Sequence, residues 1–374
     1  MSKTSSKLTQ SVHVGSVGDP LFGGLVNPIY PSSAYDYDAL VRYPRYFNTP
    51  NQIAVVKKMA ALENGEDGLL FSSGMAAIMT AMFAVLKSGD HILFQSDLYG
   101  GTHHAALNEL KRYGIDHTMA GVADPKKFES AIRPNTKVIF IETPSNPLMR
   151  ITDIAAVAKM AKKNKIITII DNTFASPVNQ NPIDLGIDIV THSGTKYIGG
   201  HSDLCCGVAV ASKKLIEKVR ASAMHFGGSL DAHTAYLVER SLKTIVIRVN
   251  QQNKNAAVIA NFLEAEPKVN AVYYPGLKNH EGYAIAKRQM KGFGGMLSFE
   301  TKGDPEKFLK RLKIIRKAVS LGGVESTISQ PVKTSHAKLS AAERKAAGIS
   351  DKLLRFSVGI EQVEDLIQDI QQAL

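Results

Sequence analysis

The segment 191-THSGTKYIGGHSD-203 puts a lysine, Lys196, just after a predicted β-strand and among small hydroxylated residues. A protonated lysine amine is a poor nucleophile. In a pocket that lowers its pKa, the same amine forms a Schiff base with a carbonyl cofactor. Ser193 and Thr195, two residues apart, offer hydroxyl donors suited to a phosphate. Alone, the segment reads better as an ordinary lysine on a surface loop.

A second segment changes that balance. In 166-IITIIDNTFASP-177 a strand apolar on both faces ends in Asp171. A carboxylate there lies where α/β sheets bind ligands. Pyridoxal phosphate requires an anion against its pyridinium nitrogen to keep the ring an effective electron sink, and Asp171 would supply it; the alternative is an aspartate starting a turn. In 68-GLLFSSGMAAIMTAMFAVLK-87 a strand, a small-residue turn and a helix follow one another, with Gly74 and Met75 at the helix start. That arrangement presents backbone N–H groups and a positive helix end to a phosphate. No Walker or dinucleotide fingerprint accompanies it. Tyr99, in 97-DLYGGTHHAAL-107, is placed to lie flat on a cofactor ring by offset stacking.

The elements that must position these residues follow from the pattern. Predicted strands over 68–71, 91–95, 115–119, 138–142, 166–171, 187–191 and 207–211 alternate with helices over 75–87, 102–113, 125–132, 153–164 and 213–224. This is an α/β chain with a mostly parallel central sheet covered on both sides. Residues 1–48 read as an irregular arm, and Thr49-Pro50 as the opening of a helix reaching about Glu63. A single long helix is expected over 231–264. Strands over 269–274, 294–300 and 315–320, a helix over 305–312 and a last helix from Gln362 then form a smaller C-terminal α+β domain. The expected division is an arm over 1–49, a large cofactor-binding domain over 50–245 and a small domain over 246–374.

Composition excludes several classes. Of 374 residues, 44% are apolar and 21% charged, which excludes a disordered chain. Two cysteines, Cys205 and Cys206, are neighbours, so a disulfide scaffold is excluded, a reducing compartment is expected, and both read as structural residues at a buried strand start. No apolar run approaches a membrane span, and residues 1–15 lack the apolar stretch of a secretory signal, so a cytoplasmic protein without membrane partners is expected. The net charge of +11 is spread over lysine pairs such as Lys57-Lys58 and reads as a solvated basic surface, not a nucleic-acid site. The eleven histidines show no metal-ligand spacing; His192 and His201 read as packing or hydrogen-bonding residues.

Together SSGMAA, DLYGGT, ETPSNP, DNTFASP, TKYIGGHSD, SLGGVES and LLRFSVGIE resemble the transsulfuration (cysteine/methionine metabolism) family of pyridoxal-phosphate enzymes, of the aspartate-aminotransferase fold type I, over nearly the whole chain. The resemblance implies that Lys196 carries the cofactor and later moves protons, and that Asp171 pairs with the ring nitrogen. Gly74, Met75, Ser193 and Thr195 hold the phosphate. Tyr99 stacks on the ring and serves as acid or base at the substrate, and Asn146 lies near the ring hydroxyl. Ser320 and Arg355 bind the substrate carboxylate, since an arginine fork binds a carboxylate bidentately. Tyr43 and Arg45 reach the phosphate of a neighbouring subunit, in a homo-oligomer that is a dimer of dimers.

The subtype is set by departures from the family pattern. Val319 stands where γ-lyases and γ-synthases usually carry glutamate, and His104 where they carry arginine. Both positions handle the distal end of a long substrate, so a smaller or less polar distal group is expected. Gly101 stands where methionine γ-lyases carry cysteine. The implied function is a carbon–sulfur lyase of sulfur amino acid metabolism, eliminating at Cγ or Cβ. The alternative is a γ-replacement enzyme, a cystathionine γ-synthase or an O-acylhomoserine sulfhydrylase. A non-catalytic binding protein is disfavoured by the intact set Lys196, Asp171, Tyr99 and Arg355.

Overall fold

Isoleucine- and phenylalanine-rich runs with no polar alternation can be satisfied only by strands buried on both faces. The computed structural model, which describes residues 5–38, 41–121, 125–337 and 339–374, places them so. Seven strands form one sheet: β1 (Asp67–Phe71), β2 (His91–Gln95), β3 (Asp116–Ala120), β4 (Thr136–Glu142), β5 (Ile167–Asp171), β6 (Ile189–Ser193) and β7 (Gly207–Ala211). Their spatial order is β1-β7-β6-β5-β4-β2-β3, and only β7 runs antiparallel to its neighbours. Successive side chains alternate between two cores. Phe94, Phe140 and Ile169 pack with the helix Gly74–Phe83 on one side, while Ile139, Ile141 and Ile170 pack with the helix Ile154–Lys163 on the other.

Five strands form the second sheet: β8 (Val269–Tyr273), β9 (Met296–Thr301), β10 (Arg316–Lys317), β11 (Thr327–Ser329) and β12 (Leu353–Ser357), in the order β10-β11-β12-β9-β8. The helix Ile245–Ala265 joins the two. Val246 and Val249 pack in the core of the large sheet, and Ile259 and Leu263 in that of the small one.

Several expectations are corrected. The stretch over 231–264 is two helices, Ala232–Leu242 and Ile245–Ala265, broken at Lys243-Thr244. The break is held by Arg248, 4% exposed, which donates to Ser241 O at 2.9 Å and to Tyr197 O at 2.9 Å. The expected arm is not wholly irregular: it contains the helix Lys7–His13, capped by Ser6 and packed on the chain's own helices Pro50–Glu63 and Ile245–Ala265. Residues 1–4 and 39–40 of that arm lie outside the described residues. Lys58 is not part of a solvated surface. It is fully buried, and its ammonium donates to Ser11 O at 2.7 Å and Val12 O at 3.2 Å, satisfying carbonyls near the end of the first helix. The strand expected over 315–320 shrinks to β10, because Ser320 turns the chain into the left-handed region at φ +72°. The helix expected over 102–113 starts at Gly100 and widens into π-type turns over Ala106–Leu110.

Arg248→Ala leaves buried carbonyls without donors and is expected to lower the free energy of unfolding by about 2–4 kcal/mol in urea titrations. A change below about 0.5 kcal/mol, ordinary for a surface site, would contradict the role given to this side chain.

Candidate active site

Three parallel strands, β4, β5 and β6, end on the same edge of the sheet in Glu142, Asp171 and Ser193. Register sets Glu142 opposite Asp171 and Asp171 opposite Thr191. A cavity of about 550 Å³ opens beyond this edge, as expected for a sheet of this kind. Its wall is completed from the chain that forms the second sheet, by Val319, Ser320 and Arg355.

Lys196 sits one turn beyond β6, where its N–H donates to Ser193 O at 3.2 Å. Its amine donates to Ser320 Oγ at 2.6 Å. The left-handed backbone of Ser320, unusual for a residue with a side chain, directs that hydroxyl to the lysine. Burial, then the positive Arg355, brings the Lys196 amine down to about 8. Arg355 is 6% exposed and donates to Asn146 Oδ1 at 2.9 Å. This bond leaves most of its five donors free for a ligand.

Asp171 is 6% exposed. Burial pushes its carboxyl up, while hydrogen bonds from Thr173 and the nearby His192 and Lys196 oppose the shift without cancelling it. The Thr173 N–H donates to Asp171 Oδ1 at 3.0 Å. A buried carboxylate whose charge is under-compensated is suited to a cationic partner.

Gly74 begins its helix behind the Ser73 cap, whose side chain accepts from the Ala76 N–H at 3.1 Å. A Cβ on Gly74 would stand 2.8 Å from Ser193 Cβ, so only glycine lets this helix end meet the end of β6. Met75, Ser193, Thr195, Tyr99 and Asn146 all line the same cavity. The residues present therefore suit pyridoxal phosphate: an amine of lowered pKa, an under-compensated carboxylate, an exposed aromatic face and a helix start beside two hydroxyls.

Other predicted residues lie elsewhere. His104 is on a second, adjoining cavity of about 580 Å³, and its Nδ1 is 3.1 Å from Asn108 Nδ2. Tyr43 and Arg45 do not line the chain's own cavity; the Arg45 guanidinium donates to Met224 O at 2.6 Å and stacks against Tyr43 and Tyr46. His192 Nε2 is 2.6 Å from Glu63 Oε1, and His201 Nδ1 is 2.7 Å from Gly199 O.

Cys205 is a correction. It is exposed and lines the cavity, with Sγ 3.5 Å from Thr195 Oγ1; only Cys206 is buried. Both cysteines precede β7, and Cys206 packs into the core beside Val208 while Cys205 faces the cavity. Sequence reasoning missed Glu142, Thr173 and Lys333 as cavity residues. The signal for Glu142 was present, since it ends a predicted strand in the manner of Asp171.

Residues 8–374 match the family described as Cys/Met metabolism PLP-dependent enzymes. The chain is 45% identical to the cystathionine gamma-lyase of Bacillus subtilis, over 98% of this chain and 99% of that protein. It is 41% identical to the L-methionine gamma-lyase of Fusobacterium nucleatum subsp. nucleatum, over 100% of this chain and 98% of that one. A crystal structure of cystathionine gamma-lyase from Lactobacillus plantarum complexed with L-serine superposes with a TM-score of 0.95 at 40% identity, covering 99% of this chain and 98% of that one.

Gly74→Ala forces the helix start away from β6. Its expected consequence is a dissociation constant for pyridoxal phosphate at least about tenfold higher, read by equilibrium dialysis of the cofactor-free protein. Equal affinity of variant and parent would remove Gly74 from the account.

Proposed function

The chain belongs to the Cys/Met metabolism family of PLP-dependent enzymes, and from that premise we propose that it cleaves the Cγ–S bond of a sulfur amino acid, releasing a 2-oxo acid, ammonia and a thiol. It is a pyridoxal-phosphate enzyme and a carbon–sulfur lyase by kinship. The observation that carries the reading is the pairing, in one cavity, of the Lys196 amine with the Arg355 guanidinium. One is an amine of lowered pKa, and the other a fork for an amino acid's carboxylate.

We assign the cofactor to Lys196, Asp171 against its ring nitrogen, Tyr99 against its ring face, Asn146 near its hydroxyl, and Gly74, Met75, Ser193 and Thr195 about its phosphate. When bound, the cofactor supplies an electron sink for the pair left at Cα as a proton departs. The protein supplies the rest. Arg355 orients the substrate through its carboxylate, with Ser320 beside it. The Lys196 amine takes the proton from Cα, would hand it on to the bound cofactor and so be free again as a base, and then takes one from Cβ, which Cγ cleavage requires. Ser320 Oγ, 2.6 Å from Nζ, keeps the amine over that path. The Tyr99 hydroxyl delivers a proton to the departing sulfur. Val319, 67% exposed, gives the distal wall an apolar surface, which supports a small or weakly polar leaving group, while His104 flanks the adjoining cavity.

We further propose a homo-oligomer, a dimer of dimers in the cytoplasm, in which Tyr43 and Arg45 reach the neighbouring subunit's phosphate site. The arm over 1–49 carries Val17, Leu21, Phe22 and Leu25 at 79%, 79%, 85% and 90% exposure, an apolar surface that supports burial against a second copy. The free, adjacent Cys205 and Cys206 suit a reducing compartment. Among the described residues no helix is long and apolar enough to cross a membrane. The large domain over 50–245 and the small domain over 246–374 then meet at the cavity.

Two measurements test the reading. In a panel of cystathionine, cysteine, homocysteine, methionine and O-acylhomoserines, 2-oxobutanoate is the expected product of the four-carbon substrates; pyruvate from cystathionine would instead assign Cβ cleavage. For O-acetylhomoserine, yield of 2-oxobutanoate unaffected by cysteine or sulfide is expected, and its suppression would assign replacement. The rate of cofactor uptake by the cofactor-free protein depends on pH, because only the neutral Lys196 amine attacks the aldehyde. Below about 8 the rate should rise about tenfold per pH unit, then level off. A profile flat between pH 6 and pH 9, marking a range of about three units around that value, would remove this amine from the attack.

A further inference from the structure

Glu142 has no part in the roles assigned above, yet it is 3% exposed, lines the cavity and stands directly opposite Asp171 in the β4–β5 register. Its Oε2 accepts the Tyr99 N–H at 2.7 Å. Tyr99 is the residue that precedes the helix Gly100–Ala105, and its own side chain makes no capping bond. The Tyr99 carbonyl is taken by the His103 N–H at 3.0 Å. The ring lies against Gly101, where an added Cβ would stand 2.5 Å from Tyr99 Cε1. With the ring 45% exposed, packing covers only part of it. The backbone bond to Glu142 is the polar contact that ties Tyr99 to the sheet edge.

We propose that Glu142 is a positioning residue for the reaction, holding the Tyr99 N–H so that the tyrosine ring keeps its place over the cavity. The proposal rests on the role given to Tyr99 above. Two carboxyls packed side by side in a buried site do not both ionise. Burial, and then Asp171, push the Glu142 carboxyl well above the usual carboxylate range. Burial pushes the Asp171 carboxyl up as well, so the two titrate as one coupled pair, and the Glu142 carboxyl also accepts a backbone bond from Asn146. A protonated carboxyl retains one oxygen to accept from Tyr99. Glutamine offers the same acceptor together with a donor, and alanine offers neither.

The test compares Glu142→Ala, Glu142→Gln, Tyr99→Phe and the double variant Glu142→Ala/Tyr99→Phe as holoenzymes. The readouts are kcat and KM on the best substrate of the panel, cofactor affinity, and the visible circular dichroism of the bound cofactor. Glu142→Ala should lose about 10–100-fold in kcat and much of the dichroism, with KM and cofactor affinity within about threefold of the parent. Glu142→Gln should recover at least about tenfold of that kcat, and the double variant should be no slower than Tyr99→Phe. Were Glu142→Ala to fail to fold, Glu142→Asp, which retracts the carboxyl by one methylene, carries the same expected loss. The proposal is overturned if alanine leaves kcat and dichroism intact, if glutamine is as impaired as alanine, or if cofactor affinity and kcat fall together. Full kcat in Tyr99→Phe would instead overturn the role of Tyr99, and the dichroism of Glu142→Ala would then decide alone whether Glu142 holds the ring.

Discussion

One cavity of about 550 Å³ must hold a carboxylate that stays charged and an amine that gives up its charge. Burial works against the first and for the second. For Lys196 the low-dielectric surroundings and the nearby Arg355 act in the same direction, and the amine comes down to about 8. For Asp171 burial opposes function, and the Thr173 bonds, His192 and Lys196 offset only part of it. The remainder is what a protonated ring nitrogen would supply. On the proposed assignment the two groups form a site that its cofactor completes, and much of the surrounding structure keeps them at a fixed separation.

That separation is set by backbone. Asp171 and the Ser193–Lys196 turn stand on adjacent parallel strands, joined by the Asn172 N–H to Thr191 O at 2.9 Å. Behind them Glu63 binds both Asn172 Nδ2 at 2.8 Å and His192 Nε2 at 2.6 Å, tying the two strand ends together from the opposite side of the sheet. The far wall comes from the chain of the second sheet. Arg355 is held in β12 between β9 and β11, and Ser320 reaches Lys196 only because its backbone turns left-handed. Arg248, at the break between the two connecting helices, hydrogen-bonds the carbonyl of Tyr197, the residue next to Lys196. The break between the two helices is therefore tied by this bond to the residue that follows Lys196.

That Asp171, Gly74 and Lys196 stand at element ends around one cavity was largely legible in the sequence because it is local. Asp171 ends a run of isoleucines, Gly74 opens a helix after a small-residue turn, and Lys196 follows a strand amid hydroxyls; each is read from its immediate neighbours. What escaped depends on distant partners. Lys58 belongs to a basic pair by pattern, but carbonyls 46 and 47 residues earlier bury it. The break at Lys243-Thr244 is stabilised by Arg248 reaching back across it to Thr244 Oγ1 and to Ser241 O of the preceding helix, which periodicity does not reveal. β12 was missed although its motif was noted, since its strand character comes from pairing with residues some 55 positions earlier. Cys205 and Cys206 look alike in sequence, yet both precede β7 and only Cys206 is buried, packed with the core around Val208 and Val210.

The most direct test of the central claim is to reduce the holoenzyme with borohydride, digest it and locate the pyridoxyl group by mass spectrometry. The account predicts one modified lysine, Lys196, with Asp171→Ala lowering the yield by weakening cofactor binding. A label on Lys333, the other lysine of the cavity wall, or no label on a protein that still turns over amino acids, would contradict it.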